Sequence, residues 1–175
     1  MMTPNSEARR LAKALAARQL KVVFAESCTG GLMAATLARV AGISDHFCGS
    51  AVTYRNDTKH RWLGISGKLL KRPGPVSREV AEAMAEGVLR ATPEANWAAS
   101  ITGHLGPHAP QRFDGVIFIG IAQRINRRAI DTHAAKHMLT STTRSERQRE
   151  ATQLALAQLR TAIETDSADD EERPR

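Results

Sequence analysis

Two hydrophobic periods alternate along this chain. Short runs rich in β-branched and small apolar residues occur at residues 22–25 (VVFA), 50–54 (SAVTY), 97–102 (WAASIT) and 116–122 (VIFIGIA). Such runs read as β-strands. The run at 116–122 is nearly all apolar, the pattern of a strand buried on both faces in the middle of a sheet. Residues 129–139 carry a weaker strand pattern. Between these runs the apolar positions follow a helical period. Leu11, Ala14 and Leu15 share a face of a first helix that Asn5 or Ser6 caps and that ends near Ala17. Residues 32–40 form a second helix closed by Gly42. Asn56 caps a third, which places Lys59 at its third residue. Ser77 caps a helix to about Ala91, with Val80, Met84, Val88 and Leu89 buried. Thr143-Arg144-Ser145-Glu146 is a capping box for a last helix to about Ile163, striped by Ala151, Leu154, Ala155 and Leu159. Residues 64–75 hold glycines and prolines and read as loop with one turn of helix. Strands alternating with helices predict an α/β domain with helices on both sheet faces.

The most informative junction is the one between the first strand and the second helix, Glu26-Ser27-Cys28-Thr29-Gly30-Gly31. A strand that enters a helix through such a turn lifts a hydroxyl or thiol above the carboxyl end of the sheet, where open α/β folds place their sites. It also aims free N–H groups of the helix start at that point, ready for an anion or oxyanion. The purely structural alternative is that Thr29 or Ser27 is an N-cap. The spacing excludes a Walker loop, and Ala25 stands where a GxSxG elbow needs its first glycine. A lysine in a helix's first turn opposes the macrodipole. If Lys59 is buried beside this junction, dipole and desolvation both lower its pKa and suit it to act as a base.

Composition narrows the class. The 175 residues suffice for one domain with a core, expected over residues 1–163. No apolar run reaches a membrane span and no signal peptide is read, so a cytoplasmic location without membrane contact is expected. Two cysteines, Cys28 and Cys48, form neither a disulfide framework nor a metal spacing. The net charge is +7, but residues 164–175 carry −4 and are expected to be a disordered acidic tail, which leaves +11 on the body. A basic body attracts phosphate-bearing ligands or nucleic acid. With aromatics at 4% of the chain, a base-stacking nucleic-acid binder is disfavoured. His104/His108 and His133/His137 are spaced by four, but they fall in an expected loop and strand without a further ligand motif, so no metal is expected.

Five blocks, AESCTGG at 25–31, VTYRNDTK at 52–59, LGI at 63–65, PVS at 75–77 and TGHLGP at 102–107, occur in this order. Together they resemble the CinA carboxy-terminal domain family, over about residues 6–163. The resemblance implies a three-layer α/β/α sandwich on a mixed, mostly parallel sheet, in stand-alone form. It also implies hydrolysis of the carboxamide of nicotinamide mononucleotide, giving nicotinic acid mononucleotide and ammonia, with no cofactor. Carried over by position, Ser27 is the nucleophile, with Lys59 its base and Tyr54 beside them. Thr29, Gly30, Gly31, Asn56, Thr102 and Gly103 line the substrate, and Arg144 or Arg147 contacts its phosphate. Cys28 is the alternative nucleophile, acidified by the helix start. The expected partner is a small pyridine nucleotide, and self-association into a homo-oligomer is left open.

Two departures stand out. The family's Gly-Gly pair after TGxxGP is replaced by His108-Ala109, and Phe113-Asp114-Gly115 replaces Pro-Val-Gly. Where the family repeats an arginine four residues into the last helix, this chain has Gln148. The altered segment 103–115 leaves two further readings alongside the first: a hydrolase of another small amide, and a non-catalytic domain that binds a nucleotide or a nucleic-acid-handling partner.

Overall fold

The computed structural model of the protein describes residues 3–171. Five strands form one sheet: β1 (Val22–Glu26), β2 (Phe47–Val52), β3 (Trp97–Gly103), β4 (Val116–Arg124) and β5 (Ile130–Met138). Their order is β2-β1-β3-β4-β5. β1 pairs in parallel with both β2 and β3, whereas β4 is antiparallel to β3 and to β5. Four strands therefore run one way and β4 alone runs back, so the sheet is mixed and mostly parallel in strand direction.

The strands sort their side chains by the two-residue period. Phe24, Ala99, Ile101, Ile117, Ile119 and Ile121 face one layer, where they meet Leu11, Leu15 and Met33 and the inner residues Ala151, Ala155 and Leu159. These come from α1 (Pro4–Ala17), α2 (Leu32–Leu37) and α6 (Arg144–Glu171). Val23, Ala25, Ala98 and Ala122 face the other layer, against Leu63, Leu70, Val80, Met84 and Val88. That layer is α3 (Asn56–Leu63), α4 (Gly67–Lys71) and α5 (Arg78–Ala91). Fully burying each large aliphatic side chain contributes about 2 kcal/mol, so both layers are needed to hold the sheet. The result is the expected three-layer α/β/α sandwich.

Several boundaries differ from the sequence reading. The cap of α1 is Thr3, whose hydroxyl accepts from Ser6 N–H at 3.2 Å, so Asn5 and Ser6 lie inside the helix. Asn56 is the first residue of α3 and Arg55 is its cap, which makes Lys59 the fourth helical residue. α2 ends at Leu37, and Gly42 instead precedes a short 3-10 turn with φ +79°. α6 does not stop at Ile163. Arg18 donates to the Ile163 carbonyl at 2.6 Å, and Asp166 accepts from Gln123 at 2.8 Å and from Arg18 at 3.4 Å. These anchors carry the helix into the segment expected to be disordered, through Glu171. Residues 172–175 lie outside the described residues.

Because β1, β2 and β3 are parallel, their carboxyl ends share one edge of the sheet. Ser27, Tyr54 and Thr102 follow or end these three strands, so the topology brings three of the sequence blocks together.

Candidate active site

Glu26 ends β1 and is completely buried. One oxygen accepts from Thr29 Oγ1 at 2.8 Å and from the N–H groups of Gly31 and Met33, each at 3.0 Å. The other accepts from Ala34 N–H at 2.9 Å and Ser50 Oγ at 3.0 Å. Three donors of the α2 start are thus satisfied by a carboxylate of the chain itself, in the position where helix N-termini hold anions. The turn between them needs left-handed backbone at Gly30 (φ +63°) and Gly31 (φ +98°), which glycine adopts without steric cost.

This corrects three sequence expectations. Thr29 is buried and spends its hydroxyl on Glu26. Gly31 N–H is occupied by the same carboxylate, and Gly30 N–H by the Ser27 carbonyl at 3.1 Å. None of the three lines the cavity described below. They shape the turn that presents Ser27. Among the described residues, only the N–H groups of Cys28 and Thr29 are left in this turn without an acceptor.

Ser27 Oγ lies 2.8 Å from Lys59 Nζ, which also donates to the Thr53 carbonyl at 2.7 Å. Lys59 is 1% exposed, with no carboxylate on it. Burial lowers its pKa from 10.5 to about 8. At pH 7.5 about a quarter of the amines are then neutral, against about one in a thousand for an ordinary lysine. Cys28 behaves in the opposite way. Burial pushes its thiol up to about 12, which removes the thiolate expected from the helix start.

Ser27, Cys28 and Lys59 line a cavity of about 240 Å³ together with Tyr54, Asn56, Pro75, Thr102, Gly103, His104, His108 and Arg144. Its lining holds two permanent or switchable cations, Lys59 and Arg144, and two imidazoles, but no aspartate or glutamate. Tyr54 is 55% exposed, and its hydroxyl accepts from Arg144 at 2.7 Å. It has no hydrogen bond to Ser27 or Lys59, so it forms the mouth of the site and stands outside the Ser–Lys proton path. Thr102 is buried and donates to the Pro75 carbonyl at 2.7 Å, which ties β3 to the segment before α5. Gly103 is small for a packing reason as well: a Cβ there would collide with Ile117.

The last helix supplies the outer wall. Arg144 donates to the Gly106 carbonyl as well as to Tyr54. Arg147 does not line the cavity and grips Asp114 with two bonds of 2.7 and 3.0 Å. That pair explains Asp114 in the altered segment: its guanidinium partner holds the carboxyl below its usual range and pins the loop to α6. Gln148 reaches the turn that carries Ser27, with Nε2 3.3 Å from the Cys28 carbonyl and 3.4 Å from that of Thr29. Glu26, Asp114 and Gln148 received no role from the sequence. Only Glu26 left a signal, as a charge closing an apolar strand before a helix with no acid in its first turn.

A larger cavity, about 570 Å³, runs along β5 between α6 and β3–β5 and shares no lining residue with the first. His133 and His137 line it, but His137 is bonded to Gln158 at 2.9 Å, and no cluster of three metal-ligating side chains occurs among the described residues. It holds no nucleophile–base pair.

Comparison with known proteins agrees with this fold. A CinA-like protein of Prochlorococcus marinus is 45% identical over 114 residues, covering 64% of this chain and 27% of that protein. One of Desulforapulum autotrophicum is 42% identical over 123 residues, covering 69% and 28%. The chain therefore spans about a quarter of the length of these relatives. The crystal structure of competence/damage inducible protein CihA from Agrobacterium tumefaciens superposes with a TM-score of 0.83 at 31% identity, over 92% of this chain and 95% of that one. A CinA superfamily protein from Escherichia coli gives 0.81 at 27%, over 90% and 88%. The CinA C-terminal domain profile matches residues 5–163, and the chain belongs to that family.

Proposed function

We propose that this domain is an amidohydrolase that removes ammonia from the carboxamide of a pyridine nucleotide, nicotinamide mononucleotide. The observation that carries the reading is the buried Ser27–Lys59 contact at 2.8 Å, with the lysine pKa near 8. An amide is a poor electrophile, so its hydrolysis needs an activated nucleophile and a stabilised oxyanion. Neutral Lys59 takes the Ser27 proton as Oγ attacks the carboxamide carbon. The Thr53 carbonyl holds one N–H of the amine and so orients its lone pair. The oxyanion falls to the unpartnered N–H of Cys28, which lines the cavity. Protonated Lys59 then gives its proton to the leaving nitrogen, which departs as ammonia. Water, deprotonated by the same amine, cleaves the acyl-serine to the carboxylate and free Ser27. The lining without acids favours a substrate that carries negative charge away from the amide.

Ammonia release from nicotinamide mononucleotide tests the reading. Wild type is expected to release it, and Ser27→Ala to lose at least roughly three orders of magnitude in kcat with unchanged thermal unfolding. Equal release by both proteins would remove Ser27 from the mechanism. Absence of release by wild type would remove the substrate. The altered 103–115 segment favours one second reading, another small anionic amide in the same site, and a substrate panel separates the two.

A further inference from the structure

Among the described residues, two that are not glycine hold a positive φ: Gln19 at +52° and His108 at +68°. Gln19 has an ordinary cause. It follows the last turn of α1, where its N–H and that of Leu20 close onto the Ala16 and Leu15 carbonyls, a normal helix ending. His108 ends no helix and caps nothing. It sits in the loop between β3 and β4, in a conformation that favours glycine, and it is an exposed residue of the Ser27 cavity lining. Strained positions of this kind persist where the surroundings hold them, and they cluster at ligand clamps.

The chemistry around it is one-sided. Neither ring nitrogen of His108 has a hydrogen-bond partner among the described residues. The one carboxylate of the loop, Asp114, is already occupied by Arg147. Arg144, on the same cavity, spends one donor on the Gly106 carbonyl and one on Tyr54, which leaves three of the five guanidinium donors. His108 and Arg144 thus offer unspent donors to a cavity without an acid. The ligand that matches them is a dianionic group with several acceptor oxygens.

We propose that His108 is a substrate-contacting, specificity-determining residue whose imidazole, with Arg144, engages a phosphate monoester on the ligand. The proposal rests on the amidase reading for where the amide sits, and makes the phosphate end of that same substrate the feature this loop selects.

The test compares ribose 5-phosphate with ribose, so that it does not depend on turnover. Dissociation constants are read from amide chemical-shift titrations of wild type, His108→Gly and His108→Asn. Glycine suits the backbone and removes the ring, so its thermal midpoint should not fall. Asparagine tolerates the same φ and keeps a neutral N–H₂ donor group in place of the ring. Wild type is expected to bind ribose 5-phosphate more tightly than ribose. His108→Gly should weaken the phosphate ester about tenfold without changing ribose, and His108→Asn should fall between. Equal affinities in wild type and His108→Gly, parallel loss of both ligands, or no binding of the phosphate ester by wild type would each overturn the proposal. The ammonia assay is read separately. Ammonia release with an indifferent His108 sinks this inference alone, whereas His108-dependent phosphate binding without ammonia release sinks the amidase reading alone.

Discussion

The two walls of the cavity are built on opposite plans. The turn at residues 26–31 is densely bonded, with only two N–H groups left over among the described residues: Glu26 accepts five hydrogen bonds, Thr29 and Gly31 serve it, and Gln148 reaches the turn from below. The facing loop, residues 103–115, is fastened at a few points by Asp114–Arg147, the Arg144 contact to Gly106 and the strand-end bonds of His104 and Gly115. Its two histidines line the cavity, and the ring of His104 also packs against Phe113. Holding a side chain within fractions of an ångström takes many bonds, and this turn has them. Recognition needs unspent donors, and a lightly fastened loop supplies them.

Breaking the chemical wall should have the largest effect. Lys59→Met should abolish ammonia release while leaving a folded protein. The sign of its stability effect follows from the lowered pKa. Between about 8 and 10.5 the unfolded chain binds the Lys59 proton and the folded one does not, so the buried amine costs stability at neutral pH, and that cost fades as pH rises through this window. The variant is therefore expected to be more stable than wild type at pH 7, by about 2 kcal/mol after the two lost hydrogen bonds are allowed for, and less stable than wild type by pH 10.5, where only the loss of those bonds remains. Denaturant titrations at the two pH values check it. In the wild type, kcat/KM should rise with pH to a plateau above about 8.

Next in size is Glu26→Gln. The amide places an N–H₂ against donors that now meet a carboxylate oxygen, leaving buried N–H groups unpaired. A loss of about 3 kcal/mol is expected, with activity falling as the turn loosens. A loss below about 1 kcal/mol would show that the turn holds without its internal anion.

The smallest effect should come from the other wall. Asp114→Asn weakens the grip of Arg147 on the loop, so KM for the mononucleotide should rise several-fold with kcat nearly unchanged. A fall in kcat instead would mean that the loop positions the reacting groups, and the contrast between the walls would fail.

Legibility in the sequence followed the same divide. The strand-turn-helix around Ser27 was readable because local rules govern it: an apolar run, a glycine turn, a helical period. Lys59 was readable as a first-turn lysine, though one residue off in its helix. The Thr143–Glu146 capping box and the Ser77 cap also stand as read, with Thr143 Oγ1 2.7 Å from Glu146 and Val80 N–H 3.3 Å from Ser77 Oγ. Glu26, Gln148 and the Asp114–Arg147 pair were not readable, because each is defined by a partner on another element. Thr29, Gly30 and Gly31 were assigned to the ligand because a helix start looks empty in sequence. The chain fills it with its own carboxylate.

By itself, then, the sequence determined the order and period of the elements, the α/β class and the residues able to do the chemistry, since these depend on neighbours within a few positions. The tertiary structure alone decided what those residues became. Packing three parallel strand ends on one edge brought Ser27 to Lys59 across 32 positions of chain. Burial then lowered the pKa of the Lys59 amine and raised that of the neighbouring Cys28 thiol. Desolvation and partner geometry belong to the folded surroundings of a group, and no local pattern encodes them.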